Sequence, residues 1–284
     1  MGLFTYDVNR YSAGKMIIIP MIILAISLIS VGLTFLSTGM PVTPGIDFSG
    51  GTSVTIYTTD SPEQVTSLVA GYPLVGKPVQ GQGSIDLRFG AMDDTMSQSL
   101  VTLLQSRYAE LKIDRIGESF AKNLQPLALE ALIFSFIGMS IVVFVTFRTF
   151  VPSAAVILSA FADIVMTAMA MNFLGFQLSL GTTAALLMLI GYSVDSDILL
   201  TMRVFKRQGK LEEKLAGAFH TGIIMTSTTF GAVAAMWAVA YLGHVTIIFE
   251  IASVLLLGLI FDIMNTWLTN VAIIKWYVEK GATR

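Results

Sequence analysis

Six long apolar runs decide what this chain can be. Crossing a bilayer takes about 20 consecutive, mostly apolar residues. The first run, Met16 to Leu36, contains no charged residue. It is longer than the apolar core of a signal peptide, and a folded segment follows it, so it reads as a retained span. Five more runs lie at about 126–147, 152–174, 178–202, 219–242 and 246–274. Between the first and the second stands one long polar stretch, 38–125. The expected layout is a short N-terminus (1–15), helix one (16–36), an external domain (38–125), a five-helix membrane region (126–274) and a tail (275–284). The expected fold class is a polytopic α-helical membrane protein with six transmembrane helices and one α+β domain between the first two.

Composition narrows the function classes. Of 284 residues, 54% are hydrophobic and 13% charged, with a mean hydropathy of +0.75. Soluble domains carry about 25% charged residues. This excludes a soluble enzyme and a disordered chain. The net charge of −2 leaves no basic footprint for nucleic acid. Cysteine is absent, which removes disulfides, thiolate zinc sites and a cysteine nucleophile. No cofactor or metal is expected.

Basic residues in the short loops predict orientation. Arg10 and Lys15 precede helix one, and Arg148 separates spans two and three. Arg203, Lys206, Arg207, Lys210 and Lys214 lie between spans four and five, and Lys275, Lys280 and Arg284 lie at the tail. The opposite short loops, 175–177 and 243–245, have none. Both termini are therefore expected in the cytoplasm, and 38–125 outside. That domain reads as β-α-β-β-α-β, a ferredoxin-like order. Gly50–Thr59 alternates as a strand, and Ser61 with Pro62 opens a helix. Two short strands surround a Gly-rich turn near 78–90. Met96, Leu100, Leu103, Leu104 and Tyr108 repeat at helical spacing, and 112–120 returns as a strand.

The few charges inside the spans carry the functional signal. Glu130, Asp163, Asp195, Asp197, Glu250 and Asp262 lie in or near them, and the only bases there, Arg148 and Arg203, sit at the ends. Ionised carboxylates at mid-bilayer are costly and face the bundle interior or water. Glu130 and Glu250 are explained by snorkelling to the interface. Asp163, mid-span, and Asp195 are the leading proton-relay candidates, with Asp197 third. Residues 195 and 197 are about 200° apart around a helix and serve different faces. Gly191, a turn above Asp195, lets another helix approach. Asp262 joins Asn265, Thr266 and Thr269 in a polar stripe. Thr221, Thr228 and Thr229 share a face of span five and offer hydroxyls for a relay or simply for packing. His220, at the start of that span, is a supporting polar candidate.

These motifs together resemble the SecF family of protein export. "GIDFSGGT", with Gly45, Asp47, Phe48, Gly50, Gly51 and Thr52, resembles the family's opening of the external domain. "RIGESFAKNL" (115–124) stands where the family closes that domain. "GYSVDSDILL", with Gly191, Tyr192 and Ser193, resembles the fourth-span signature, and "FHTGIIMTSTT" the fifth. The acids stand at the fifth and seventh places of the fourth-span motif, which resembles an archaeal-type SecF. The resemblance implies an RND-like bundle, a non-enzymatic role and a SecD-like partner. It also implies association with a SecY-type translocon, contact with the exported polypeptide and with membrane lipid, and coupling to the proton gradient through Asp195. Family members carry a basic residue early in span five, where this chain has His220, Thr221 and Gly222.

Three other readings stand beside this one. An RND-type exporter of a small molecule or lipid would need a second unit. A scaffold would stabilise a SecD-like partner without moving protons. An intramembrane aspartyl protease would need Asp163 and Asp195 as a facing pair.

Overall fold

The computed structural model describes residues 12–281 except 77, 82 and 207. Arg10, Arg207 and Arg284, part of the charge pattern above, lie outside the described residues. Among the described residues, six helices are long and apolar enough to cross a membrane. They are α1 (Ala13–Thr38), α5 (Glu118–Phe147), α6 (Phe150–Leu174), α7 (Leu180–Lys206), α8 (Leu211–Leu242) and a last span. That last span joins α9 (Thr246–Met264), a π-helical segment (Asn265–Asn270) and α10 (Val271–Gly281).

Most of these helices outrun their apolar runs, because a helix needs its backbone bonds beyond the point where lipid ends. The difference is largest at α5, which starts at Glu118 inside the segment expected to be a strand. The strand before it stops at Ile116, and Gly117 caps the new helix in extended conformation. The polar first turns of α5 thus lead straight from the external domain into the membrane.

The external domain is a four-stranded sheet in the order β2-β3-β1-β4. Its strands are β1 (Gly51–Tyr57), β2 (Val79–Gln80), β3 (Ser84–Phe89) and β4 (Leu111–Ile116). Every neighbouring pair is antiparallel, with Thr52 opposite Phe89 and Arg115. Two helices, α3 (Pro62–Leu68) and α4 (Asp94–Arg107), cover the sheet. Their start signals act as the side chains suggest. The Ser61 hydroxyl accepts from Gln64 N–H, and the Gln64 side chain accepts from Ser61 N–H. Asp93 accepts from Met96 N–H at 2.7 Å. Val54, Ile56, Leu87 and Phe89 of the sheet pack with Val65, Leu100 and Leu104 of the helices to form the domain's own core.

The "GIDFSGG" segment contains one helical turn, α2 (Ile46–Ser49), ahead of β1. The sequence reading has it leading directly into the strand. The two glycines that follow have φ of +73° and +136°. At Gly51 a side chain would collide with the Phe89 carbonyl oxygen, so the tight crossing to β3 needs its absence.

In the membrane region α6 is central. Ala155, Ser159, Ala160, Ala162, Ala168 and Ala170 are all buried on it, and small side chains let neighbouring backbones approach. It contacts α1, α5, α7, α9 and α10. By contrast α1, α5 and α8 are largely exposed in the single chain.

Candidate functional site

The centre of the bundle holds a polar network with three carboxylates. Asp163 of α6 and Asp197 of α7 are 0% exposed, and Asp262 of α9 is 1% exposed. The Ser193 hydroxyl of α7 donates to Asp163 Oδ2, and Asn265 Nδ2 donates to Asp163 Oδ1 at 2.6 Å. Asp197 Oδ1 accepts from Asn270 Nδ2 at 2.7 Å and from Thr266 Oγ1 at 2.9 Å. The same Thr266 hydroxyl lies 3.2 Å from Asp262 Oδ1 and so joins two carboxylates. Thr269 Oγ1 donates to Asn265 Oδ1 at 3.2 Å and holds that amide in place.

Helix geometry explains why these groups meet. Ser193 and Asp197 are four residues apart and share a face of α7. The π-helical segment supplies the rest: Asn265, Thr266, Thr269 and Asn270 are all buried. A π-helical segment inside a helix widens the backbone and recurs at functional sites. Among the described residues, no lysine, arginine or histidine forms an ion pair with any of the three carboxylates. The cluster therefore holds three buried carboxyl groups with no ion-pairing base among the described residues.

The sequence candidates separate into three groups. Asp163, Asp197, Asp262 and Ser193 are brought together. Asp195 is not among them: it is exposed, on the opposite face of α7 from Asp197. It shares that face with Gly191 and Tyr192, and no atom lies within 4 Å of a side chain built at Gly191. Asp163 and Asp195 therefore do not face each other as a protease dyad requires. The span-five group also stays apart. Thr228 and Thr229 bond to their own helix at the Met225 carbonyl, and His220 is exposed. Thr221 has a different partner, Arg203 of α7, whose Nη2 donates to its hydroxyl at 2.7 Å. Arg203 Nη1 also donates to the Gly217 carbonyl at 2.5 Å. A base from span four thus stands against the start of span five, where this chain has no arginine.

Sequence reasoning missed Ser159, Thr201 and Asn270. Ser159 and Thr201 are each one turn from an aspartate, at i−4 of Asp163 and i+4 of Asp197. That spacing was the available signal. Asn270 extends the stripe begun by Asp262, Asn265, Thr266 and Thr269.

A second polar layer lies where the external domain meets the spans. Arg88 of β3 pairs with Glu250 of α9 at 2.6 Å and donates to Gln177 at 2.5 Å. Glu250 is thus tied to the external domain, where the sequence reading has it snorkelling. Thr246 donates to Asp86 Oδ2 at 3.1 Å. The motif residues belong to this seam. Asp47 accepts from Leu180 N–H at 2.7 Å, placing a carboxylate at the N-terminus of α7. Gly45 N–H donates to the Leu178 carbonyl at 2.8 Å, and the Phe48 carbonyl accepts from Gln125 at 2.6 Å. Phe48 and Thr52 are buried. A cleft of about 710 Å³ opens between this seam and the sheet.

Comparison with known proteins decides the family. Residues 95–280 match the family model described as protein export membrane protein SecD/SecF, C-terminal. A protein-export membrane protein SecF of Methanolacinia petrolearia is 52% identical over 282 residues, covering 99% of both chains. The chain belongs to the SecF family. A SecF of Haloferax volcanii is 40% identical, over 98% of this chain and 97% of its own. The fold has a solved counterpart in SecDF of Thermus thermophilus, described as a translocon-associated membrane protein. The TM-score is 0.76 at 19% identity, over 98% of this chain and 40% of that one. The six-helix bundle with its α+β insert is thus a SecDF-type fold, and the chain is a multi-pass membrane protein of the SecF family.

Proposed function

We propose that this SecF-family chain serves protein export as an accessory subunit of a SecY-type translocon, coupled to the proton gradient. The reading places it in the plasma membrane with both termini inside and the α+β domain outside. Its support is the loop charge pattern. The observation that carries the coupling is the set of buried carboxylates with no ion-pairing base among the described residues.

In this reading Asp163 is the inner proton holder. Both of its oxygens already accept hydrogen bonds, from Ser193 and Asn265, so its charged form is supported from two helices. Taking up a proton cancels that charge and weakens both bonds. The contacts of α6 with α7 and with the π segment then change together, as in other two-state bundles. Asp195 is the outer group. It stands on the open face of α7 beside Gly191, where a helix of a SecD-like subunit would pack. An uncovered carboxylate at that depth costs about 2.5–3.5 kcal/mol on insertion scales, so a partner that supplies a donor is favoured. The seam of Arg88, Glu250, Asp86 and Thr246 passes bundle movement to the external domain, and from there to the emerging polypeptide.

The test is export of a secreted reporter in cells lacking the native copy, with Asp195→Asn and Asp163→Asn supplied in turn. Slower export that no longer responds to an uncoupler is expected for both. Wild-type rate with unchanged uncoupler sensitivity in both variants would refute the coupling. Normal membrane accumulation of the variants, seen by immunoblot, separates loss of coupling from loss of the protein.

A further inference from the structure

The proton reading leaves one part of the network unexplained. Four buried oxygens around Asp197 have no hydrogen-bond partner: Asp197 Oδ2, Asn270 Oδ1, Thr201 Oγ1 and Ser159 Oγ. Asp197, Asn270, Thr201 and Ser159 are each 0% exposed. A buried polar group left unmet costs about 1–3 kcal/mol, and more when charged. Four in one neighbourhood are too many to attribute to separate local faults.

Their positions place them on the elements that meet at Asp197. Asn270 already holds Asp197 Oδ1 through its amide nitrogen, which leaves its carbonyl oxygen beside the same carboxylate. Ser159 of α6 lies against Asp197 without forming a bond of good geometry. Thr201 is one turn beyond Asp197 on the same face of α7. Three elements therefore contribute: α6, α7 and the π segment. A proton on Asp197 would meet the need of one carboxylate oxygen, but the Asn270 carbonyl oxygen and the lone pairs of the two hydroxyls would still have no partner. A cation answers several oxygens at once.

We infer that this pocket binds a sodium ion, stripped of most of its water and held by the Asp197 carboxylate, the Asn270 carbonyl and the Ser159 and Thr201 hydroxyls. The donor set is entirely hard oxygen, which suits alkali and alkaline-earth ions rather than transition metals. Only one carboxylate is in the pocket itself, and the site is sealed from water. Magnesium keeps several of its waters, and calcium takes six to eight oxygens, often from several carboxylates, so a monovalent ion fits better. The π segment widens the last span where Asn270 stands, as such segments do at functional sites. Asp195 and Asp197 then have separate tasks on opposite faces of one helix. This assignment goes beyond the proton reading and does not depend on it.

The experiment uses the purified full chain in lipid nanodiscs, with no export and no proton gradient. Binding of radioactive sodium is measured, together with thermal unfolding in sodium, potassium and choline chloride at equal ionic strength. Saturable sodium binding is expected, with an unfolding temperature raised by sodium and by neither other salt. Asp197→Asn should abolish binding. Thr201→Val should weaken it about tenfold, and Thr201→Ser, which keeps the hydroxyl, should restore it. Thr146→Val, on the exposed face of α5, should bind as the wild type does. Three outcomes overturn the assignment: no saturable sodium binding by the wild type, equal stabilisation by potassium, or unchanged binding in both Asp197→Asn and Thr201→Val. Because no export is measured, failure here leaves the proton reading standing. Export that ignores an uncoupler would equally leave this one.

Discussion

The molecule contains two polar layers that use carboxylates in opposite ways. At the outer seam Glu250 has a fixed partner, the Arg88 guanidinium at 2.6 Å, and the pair ties the external domain to α9. In the bundle centre Asp163, Asp197 and Asp262 share hydroxyls and amides but, among the described residues, no ion-pairing base. A carboxylate with a permanent counter-charge is a clamp. One with only neutral donors keeps its charge negotiable. In the proposed function, the seam is the mechanical linkage and the centre handles the ion.

The sharpest way to break this contrast is to neutralise one member of each layer. We predict that Asp163→Asn lowers export by about a hundredfold, the lower end of what a positioned proton-transfer group contributes. Glu250→Gln should leave uncoupler sensitivity intact. Pulse-chase of a secreted reporter with and without uncoupler checks both. Equal loss of uncoupler sensitivity in the two variants would erase the distinction.

Stability should show the converse pattern. Removing one partner of a mostly buried ion pair strands the other, so Arg88→Ala is expected to destabilise by about 3 kcal/mol. Adding Glu250→Gln to it should recover part of that loss. Thermal unfolding in detergent across the four members of the cycle measures it, and strict additivity would mean that the pair does not act as a clamp.

A smaller effect separates packed from open helix faces. A methyl group at Gly258 would meet Leu189 side-chain atoms at 2.5 Å, so Gly258→Ala should cost about 2 kcal/mol through overpacking. Gly191→Ala meets nothing within 4 Å and should not lower the isolated chain's unfolding temperature. It should instead weaken co-purification with a SecD-like subunit. A stability loss at Gly191 equal to that at Gly258 would show that its face is not open. The smallest effect is local. Ser61→Ala removes half of a capping box and should cost the external domain about 1 kcal/mol. An unchanged melting curve would place that helix start outside the cooperative unit.

Much of the fold was legible because its signals are local. Long apolar runs name the spans, and alternation from Gly50 to Thr59 names β1. Ser61 with Pro62 marks the start of α3 to the residue. The candidate site was half legible. The sequence showed that Asp163, Asp262 and the acids of α7 were unusual, and that 195 and 197 must point apart. It did not show which of those two faces the interior. That depends on how α7 is rotated against α6 and α9, which is a matter of packing between distant segments. The link from Arg88 to Glu250 was hidden for the same reason, since 162 positions separate them. The π segment was hidden too, because its residues read as an ordinary polar helical stripe.

That segment has a genetic consequence. A π turn holds one more residue than the α-helix around it can accommodate. It is, in effect, a tolerated single-codon insertion. Deleting one codon within 265–270 would let the last span wind as a continuous α-helix. Everything after the deletion would keep nearly its present face, because the wide turn already absorbs the extra residue. Lys275, now buried, and Trp276, now exposed, would stay on their present sides of the span, and the loss would fall on the polar groups of the segment itself.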